Sequence, residues 1–270
     1  LVRRGLAESR TQARAFIGSG RVLVGGAPAT KPARQVDAGE PVVLTGEPPR
    51  FVGRGGDKLV GALDGFALDP GGLRALDAGA STGGFTDALL QHGAESVVAL
   101  DVGHGQLHER LRADPRVEVL ERTNLRHVDP AELGPFGAVV ADLSFISLTK
   151  VMSVLVGCCA PGAWLVLLVK PQFEAGRREV SRGRGVISDP VEWAAAVTRV
   201  VRCAETDGAV MSGLAVSPLR GADGNVEFLL HLRRDDAVGP IDDGQLAERI
   251  DAALLAAGLP TVPLDAEAAP

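Results

Sequence analysis

The sequence predicts an α/β protein whose body is an open, mostly parallel sheet covered by helices on both faces, preceded by a small α+β head. Three observations carry that expectation. From residue 73 to residue 232, short apolar strands alternate with amphipathic helical stretches. LDAGASTGGFTDALL (76–90) passes from strand through a glycine turn into a helix. The charge is also uneven: residues 1–58 hold ten Lys/Arg against five Asp/Glu, a net of +5, which leaves −11 for the rest of a chain whose total is −6. A basic head on an acidic body suits a head that meets a polyanion.

In the head, Leu6, Ala13, Phe16 and Ile17 share a face at helical spacing within residues 1–18, and Ser9 can cap a helix carrying Arg10 and Arg14. RVLV (21–24), a glycine turn and PVVLTG (41–46) then read as strand, turn and strand, giving a head over residues 1–46. Adjacent prolines in EPPRF make residues 47–52 a linker to a body over 53–234. Strands are expected at 73–78, 96–101, 117–120, 137–142, 163–169, 209–216 and 226–232, with helices at 84–92, 105–113, 147–158 and 190–207. No helix separates the last two strands, so the sheet should end in an antiparallel hairpin. The tail, 235–270, is acidic and alanine-rich, with a helix near 244–257.

Composition excludes several classes. With 270 residues the chain can build one large domain and a small one. Cys158, Cys159 and Cys203 show no metal-ligand spacing and read as reduced thiols of a cytoplasmic protein, so no metal is expected. No apolar run reaches the roughly 18–20 residues a membrane span needs. No signal peptide is visible, and Leu1 is not an initiator methionine, so the natural start is expected upstream.

Gly79, Gly83 and Gly84 allow close backbone approach at a turn that opens a helix, and such turns lie beyond the carboxyl ends of sheet strands, where ligands bind. The spacing is neither G-x-G-x-x-G nor a P-loop. Methyltransferases that use S-adenosylmethionine have a loop of this kind. Asp101 ends the following strand, where a carboxylate can accept both hydroxyls of a ribose. The plainer readings are a tight turn for the glycines and a helix cap for Asp101.

Three ionisable residues stand where apolar strands should hold none: Asp142 ends AVVAD, Lys170 ends LVLLV before Pro171, and Glu227 lies in NVEFLLHL. A fourth, Lys58, sits in GRGGDKLVGAL just ahead of the sheet. Singly, each could be a turn or surface residue. Together they converge on one sheet edge, and buried lysines are kept near carboxylates mostly where chemistry requires them.

In order and context, Lys58, Asp142, Lys170 and Glu227 match the Lys-Asp-Lys-Glu tetrad of the ribose 2′-O-methyltransferases related to FtsJ. Within that superfamily the chain resembles the TlyA, or haemolysin A, family. The stretches that carry the resemblance are RGGDKL, LDAGASTGGFTDALL, ALDVGHGQL, DPRVEVLERTNLR, VADLSFISL, LVKPQFE and GNVEF, over roughly residues 53–230. The head resembles the S4 RNA-binding domain that this family carries. Departures are His104, where the family often has tyrosine, Asp57, where it often has histidine, and the arginine-rich GRREVSRGRG (176–185).

The resemblance implies methyl transfer from S-adenosylmethionine to a ribose 2′-hydroxyl of ribosomal RNA, at a cytidine of 23S rRNA and, in members with longer N-termini, also of 16S rRNA. Lys170 would orient and deprotonate the hydroxyl, with Lys58 beside it and Asp142 and Glu227 holding the amines. The cofactor set would be Asp77, Gly79, Ala80, Ser81, Thr82, Gly83, Gly84, Phe85, Asp101, Val102, Asn124 and Asp142. Arg3, Arg4, Arg10, Arg14, Arg21, Lys31 and Arg34 would meet RNA, and residues 176–185 would form a lid over it. A monomer is expected. The competing classes are a ribosome-binding protein with an inactive methyltransferase-like body, and a membrane-lysing protein, which the absence of a spanning segment disfavours.

Overall fold

A computed structural model describes residues 1–7, 10–46, 49–175, 185–221, 223–235 and 239–262. The Ser9 cap, part of the linker and residues 176–184 of the arginine-rich insertion lie outside the described residues. The chain divides into two compact units, Leu1–Arg50 and Phe51–Pro270.

In the first unit, helix α1 (Arg10–Gly18) accompanies an antiparallel sheet of β1 (Val22–Val24), β2 (Ala27–Pro28) and β3 (Val42–Leu44) in the order β2-β1-β3. Strand β2 was not expected. It forms because Gly25 and Gly26 both take positive φ, 60° and 82°, which closes a two-residue hairpin with Val24 opposite Ala27. Phe16, Val22, Val24, Ala7 and Ala29 fill a small core.

The second unit opens with helix α2 (Gly55–Gly65). Its sheet comprises β4 (Arg74–Ala78), β5 (Ser96–Leu100), β6 (Val117–Leu120), β7 (Phe136–Ala141), β8 (Cys159–Val169), β9 (Ala209–Val216) and β10 (Phe228–Arg234). Among the described residues their order is β6-β5-β4-β7-β8-β10-β9. The first five run parallel, and β10 is antiparallel to both β8 and β9. The expected hairpin is present, with its second strand inserted beside β8.

Strand periodicity explains why β8 sits inside. Leu165, Leu167 and Val169 enter one core layer, while Val166 and Leu168 enter the other, and all are buried. Fully burying such a side chain is worth about 1.5–3 kcal/mol, enough to offset the roughly 1–2 kcal/mol cost of ordering its backbone and much of the side-chain entropy lost. The remaining helices of the body are α3 (Gly84–Gln91), α4 (Glu109–Arg112), α5 (Pro130–Leu133), α6 (Met152–Gly157), α7 (Pro171–Glu174), α8 (Pro190–Thr206) and α9 (Asp243–Ala256), of which α6, α8 and α9 lie on the first face. Helices α2 and α3 cover the other face through Leu59, Ala62, Leu63, Ala88 and Leu89.

Several elements differ from expectation. Helix α2 was not among the expected helices, because its first turn is glycine-rich and of low propensity. Those glycines serve packing: a Cβ on Gly56 would fall 2.2 Å from the Phe51 ring, and one on Gly84 would fall 2.9 Å from the Gly56 nitrogen. The helix expected over 105–113 contracts to Glu109–Arg112, and that over 147–158 divides into a 3-10 turn, Leu148–Lys150, and α6. The single turn α7 follows Lys170 directly, with Pro171 at its first position.

The parallel strands β4, β5, β7 and β8 end at Ala78, Leu100, Ala141 and Val169, so Gly79, Asp101, Asp142 and Lys170 all emerge at one edge. Strand β10 begins there, with Phe228 opposite Val169, which sets Glu227 beside Lys170 and just ahead of the strand rather than inside it.

Candidate active site

At that edge the four interrupting residues close into two ion pairs. Lys170 Nζ lies 2.6 Å from Asp142 Oδ1 and donates to Ser144 Oγ at 2.9 Å. Lys58 Nζ donates to Glu227 Oε2 at 2.5 Å, carried there by the first turns of α2. Lys58, Lys170 and Glu227 are buried, and Asp142 is partly open. Asp57, beside Lys58, is exposed.

A cavity of about 510 Å³ is lined by all four of these residues, by Gly79, Ala80, Ser81, Thr82, Gly84 and Phe85 of the glycine turn, and by Arg54, Ser144, Phe145, Phe173 and Arg220. A second cavity of about 560 Å³ is lined by Asp101, Val102, Gln106, Asn124 and Leu143 among others. Gly79, Ser81, Asp142, Ser144 and Phe145 line both, so the two cavities share a wall.

The turn is held open by backbone geometry. Gly79 has φ +88°, and a Cβ there would fall 2.8 Å from the Asp142 carbonyl oxygen, so only glycine lets β4 and β7 release their chains side by side. Ser81 also has positive φ, 49°, and its N–H donates to Asp101 Oδ2 at 2.8 Å. Gly103 N–H donates to Asp101 Oδ1 at 2.6 Å. Asp101 thus braces the turn from the neighbouring strand while still facing the second cavity. Asn124 lines that cavity and caps the turn Leu125–His127, and His104 Nδ1 lies 3.0 Å from Glu121.

Two members of the expected cofactor set stand apart. Gly83 packs on Leu107 and Leu111, 2.8 and 2.2 Å from where its Cβ would be, and lines neither cavity. Asp77 is fully buried beneath the turn, with Oδ2 accepting from Thr86 N–H and Oγ–H at 2.9 and 2.6 Å and Oδ1 without a hydrogen-bond partner. Its role is to anchor the start of α3. Several residues that line the first cavity escaped sequence reasoning, four of them close to the ion pairs and the glycine turn in the chain. Ser144, Phe145, Phe173 and Arg54 interrupt no apolar strand, so they carried no signal of that kind.

The basic residues of the head are arranged separately. Arg3, Arg10 and Arg14 are exposed. Arg4 is engaged with the carbonyls of Glu40, Asp37 and Ala38, and Arg34 with the Glu40 carboxylate at 2.7 Å. Arg21 donates to the Thr45 carbonyl and lies over the Phe16 ring. Lys31 and Arg34 line a shallow hollow with Pro28, Thr30 and Ala33. Among the described residues no cluster of His, Cys, Asp and Glu could hold a metal, and no helix is long and apolar enough to cross a membrane.

A doubly wound sheet with a glycine turn, a strand-end acid and buried lysine–carboxylate pairs on its carboxyl edge is a Rossmann-like methyltransferase body. The chain belongs to the FtsJ-like methyltransferase family, whose model matches residues 51–234, and an S4-domain model matches residues 1–42. It is 54% identical over 235 residues to "16S/23S rRNA (cytidine-2'-O)-methyltransferase TlyA" of Mycobacterium tuberculosis strain H37Rv, covering 86% of this chain and 87% of that one. It is 44% identical to "Putative rRNA methyltransferase YqxC" of Bacillus subtilis strain 168, over 86% of this chain and 83% of that one. A solved structure, "Putative hemolysin from Streptococcus thermophilus", matches with a TM-score of 0.75 at 38% identity, over 93% of this chain and 92% of that one.

Burial is the main force that pushes the Asp77 carboxyl up, from 3.8 to about 7, against the opposing pull of its Thr86 hydrogen bonds. The folded chain therefore holds this proton more tightly than the unfolded chain, so stability should fall as pH rises from about 4 to about 7 and level off above. Asp77→Asn should remove that part of the slope, on the order of 4 kcal/mol across the window, at about 1.4 kcal/mol per pKa unit. Urea unfolding of both proteins at stepped pH would show it. Parallel pH curves for the two would contradict this reading of Asp77.

Proposed function

We propose that this protein transfers a methyl group from S-adenosylmethionine to the ribose 2′-hydroxyl of a cytidine in ribosomal RNA, in 23S and also 16S rRNA. The observation that carries the reading is Lys170 Nζ in the first cavity, fixed by Asp142 and Ser144, which line both cavities, in a chain so similar to a relative of that name. Such an enzyme works where ribosomes are, in the cytoplasm.

The residues present fit the cofactor. Gly79, Asp101 and Asp142 line the second cavity, and the two carboxylates are an acceptor set suited to ribose hydroxyls and a cationic group. Asp101, Val102 and Asn124 would hold the nucleoside end, and Gly79 to Gly84 the other. When bound, S-adenosylmethionine supplies a methyl group made electrophilic by a sulfonium.

The chain's part is to prepare the acceptor. A ribose hydroxyl is a weak nucleophile near neutral pH, so it needs both alignment and a proton acceptor. Lys170 gives up one proton to solvent, and its neutral Nζ then receives the hydroxyl proton as the ribose oxygen takes the methyl group, while Asp142 and Ser144 fix where the amine points. The Lys58–Glu227 pair lines the same cavity and keeps a second cation near the acceptor without leaving it unpaired. Phe145 supports an RNA substrate in particular: its ring is 92% exposed, takes a backbone φ of +65°, and stands at the mouth of both cavities against Phe173. An exposed aromatic face is suited to stacking a nucleobase, worth roughly 1–3 kcal/mol per base.

Three outcomes are expected. Asp101→Ala should weaken S-adenosylmethionine binding by at least about 1.5–3 kcal/mol, since the charge-assisted bonds are lost and the turn loses its brace. Unchanged affinity by calorimetry would remove Asp101 from the site. Neutralising Arg10 and Arg14 should flatten the fall of RNA affinity with salt and leave cofactor binding intact, because phosphate contacts release counterions. An unchanged salt slope would take α1 out of the RNA contact.

The third outcome tests the function. Lys170→Ala should lose methyl transfer by at least roughly 10²–10⁴-fold on ribosomal subunits while cofactor and RNA still bind. Lys170→Arg should not rescue it, because a guanidinium does not readily take up a proton in this role. Near-normal turnover in Lys170→Ala would overturn the assignment.

A further inference from the structure

Four residues beyond Lys170 the chain buries another carboxylate, one with no part in the chemistry above. Glu174 ends α7 and is 6% exposed. Its Oε2 accepts from Ser147 Oγ at 2.5 Å and its Oε1 from Leu148 N–H at 2.8 Å. Its own carbonyl accepts from the Arg199 guanidinium on α8. Ser147 caps the 3-10 turn that ends the loop bearing Asp142, Ser144 and Phe145.

Two segments are thereby joined at both ends. At the near end Lys170 grips Asp142 and Ser144, and at the far end Glu174 grips Ser147 and Leu148. Between them Phe145 and Phe173 meet with ring centroids 5.4 Å apart. The loop needs such an anchor. Phe145 holds a backbone conformation that a phenylalanine seldom adopts, and its exposed ring has little packing to keep it there. On its strand side the loop is fixed by Asp142 N–H donating to the Ala78 carbonyl, and on its other side by Glu174. A carboxylate is a costly residue to bury where an apolar one would satisfy packing alone.

We infer that Glu174 is a positioning residue for methyl transfer, which locks the loop 142–148 onto the turn carrying Lys170 so that Asp142, Ser144 and Phe145 keep their places around the amine. This rests on the role given to Lys170 above. Because small misplacements of aligned groups are expensive in rate, the lock should act on turnover rather than on cofactor affinity.

The test uses the full chain, S-adenosylmethionine and intact ribosomal subunits, comparing Glu174→Ala, Glu174→Gln and Lys170→Ala with the unaltered protein. Glu174→Ala should lower kcat by roughly ten- to a hundredfold with the cofactor Kd unchanged. Glu174→Gln should restore most of it, since its amide oxygen still accepts from Leu148 and its NH₂ can donate to Ser147. Full turnover in Glu174→Ala beside a dead Lys170→Ala would overturn the positioning role alone. Full turnover in both would overturn the reading of Lys170 on which it rests. A loss that merely follows the folded fraction, or that Glu174→Gln does not relieve, would reduce Glu174 to a structural residue. Should Glu174→Ala fail to fold, Ser147→Ala decides: it keeps the carboxylate and cuts one tether, and kcat must drop severalfold or the inference falls.

Discussion

A lysine keeps its charge out of water only with an anion against it, and the body of this protein lines one cavity with two such pairs. Stripping an ammonium and a carboxylate of water costs several kcal/mol per ion, and leaving either one buried without its partner costs about 3–5 kcal/mol. Much of the architecture around the sheet's carboxyl edge can be understood as meeting that constraint. Strand β10 runs against β8 with Phe228 opposite Val169, which brings Glu227 to the edge where the parallel strands end. Glycines at 56 and 84 let α2 approach α3 closely enough for Lys58 to reach it. Gly79 lets β4 and β7 release their chains in contact, so that Asp142 meets Lys170.

The two pairs differ in what surrounds them. Lys58 and Glu227 are closed off at 2.5 Å and brace one wall. Lys170 lines the first cavity and is shared between Asp142, which is partly open, and the hydroxyl of Ser144, and both of these partners line the two cavities in common. The two lysines are equally buried and line the same cavity, so what distinguishes Lys170 is its partners: an acid and a hydroxyl that also line the second cavity. On the proposed reading the nucleoside side and the acceptor side would share the wall made by Gly79, Ser81, Asp142, Ser144 and Phe145, and whatever fixes that wall would fix the alignment of two substrates.

The sequence was readable where physics leaves a periodic or discordant mark. The core strands show as runs of apolar residues because both faces of the sheet are covered, and Asp142 and Lys170 stand out because they break such runs. Asp101 and Gly79 were legible as strand-end and turn residues. The pairing of particular lysines with particular acids was not, since it depends on the register of β10 and the approach of α2, both set by tertiary packing. Helix α2 was hidden by glycines that serve close approach rather than helix propensity. Ser144, Phe145 and Glu174 lie in short irregular segments where spacing carries little information, and Asp77 gave no sign that it turns inward to Thr86.

The head and body divide the work that ribose methylation of a large RNA would demand. A small unit rich in exposed arginine can hold the polyanion, while an acidic body supplies the chemistry from buried charges that need no RNA to be in place. The most direct measurement of the central claim is the position of the product methyl. Ribosomal subunits lacking the modification, treated with the purified protein and labelled S-adenosylmethionine, should carry the label on the 2′-oxygen of a cytidine and so leave an alkali-resistant dinucleotide. Label on a nucleobase, or none, would contradict the account.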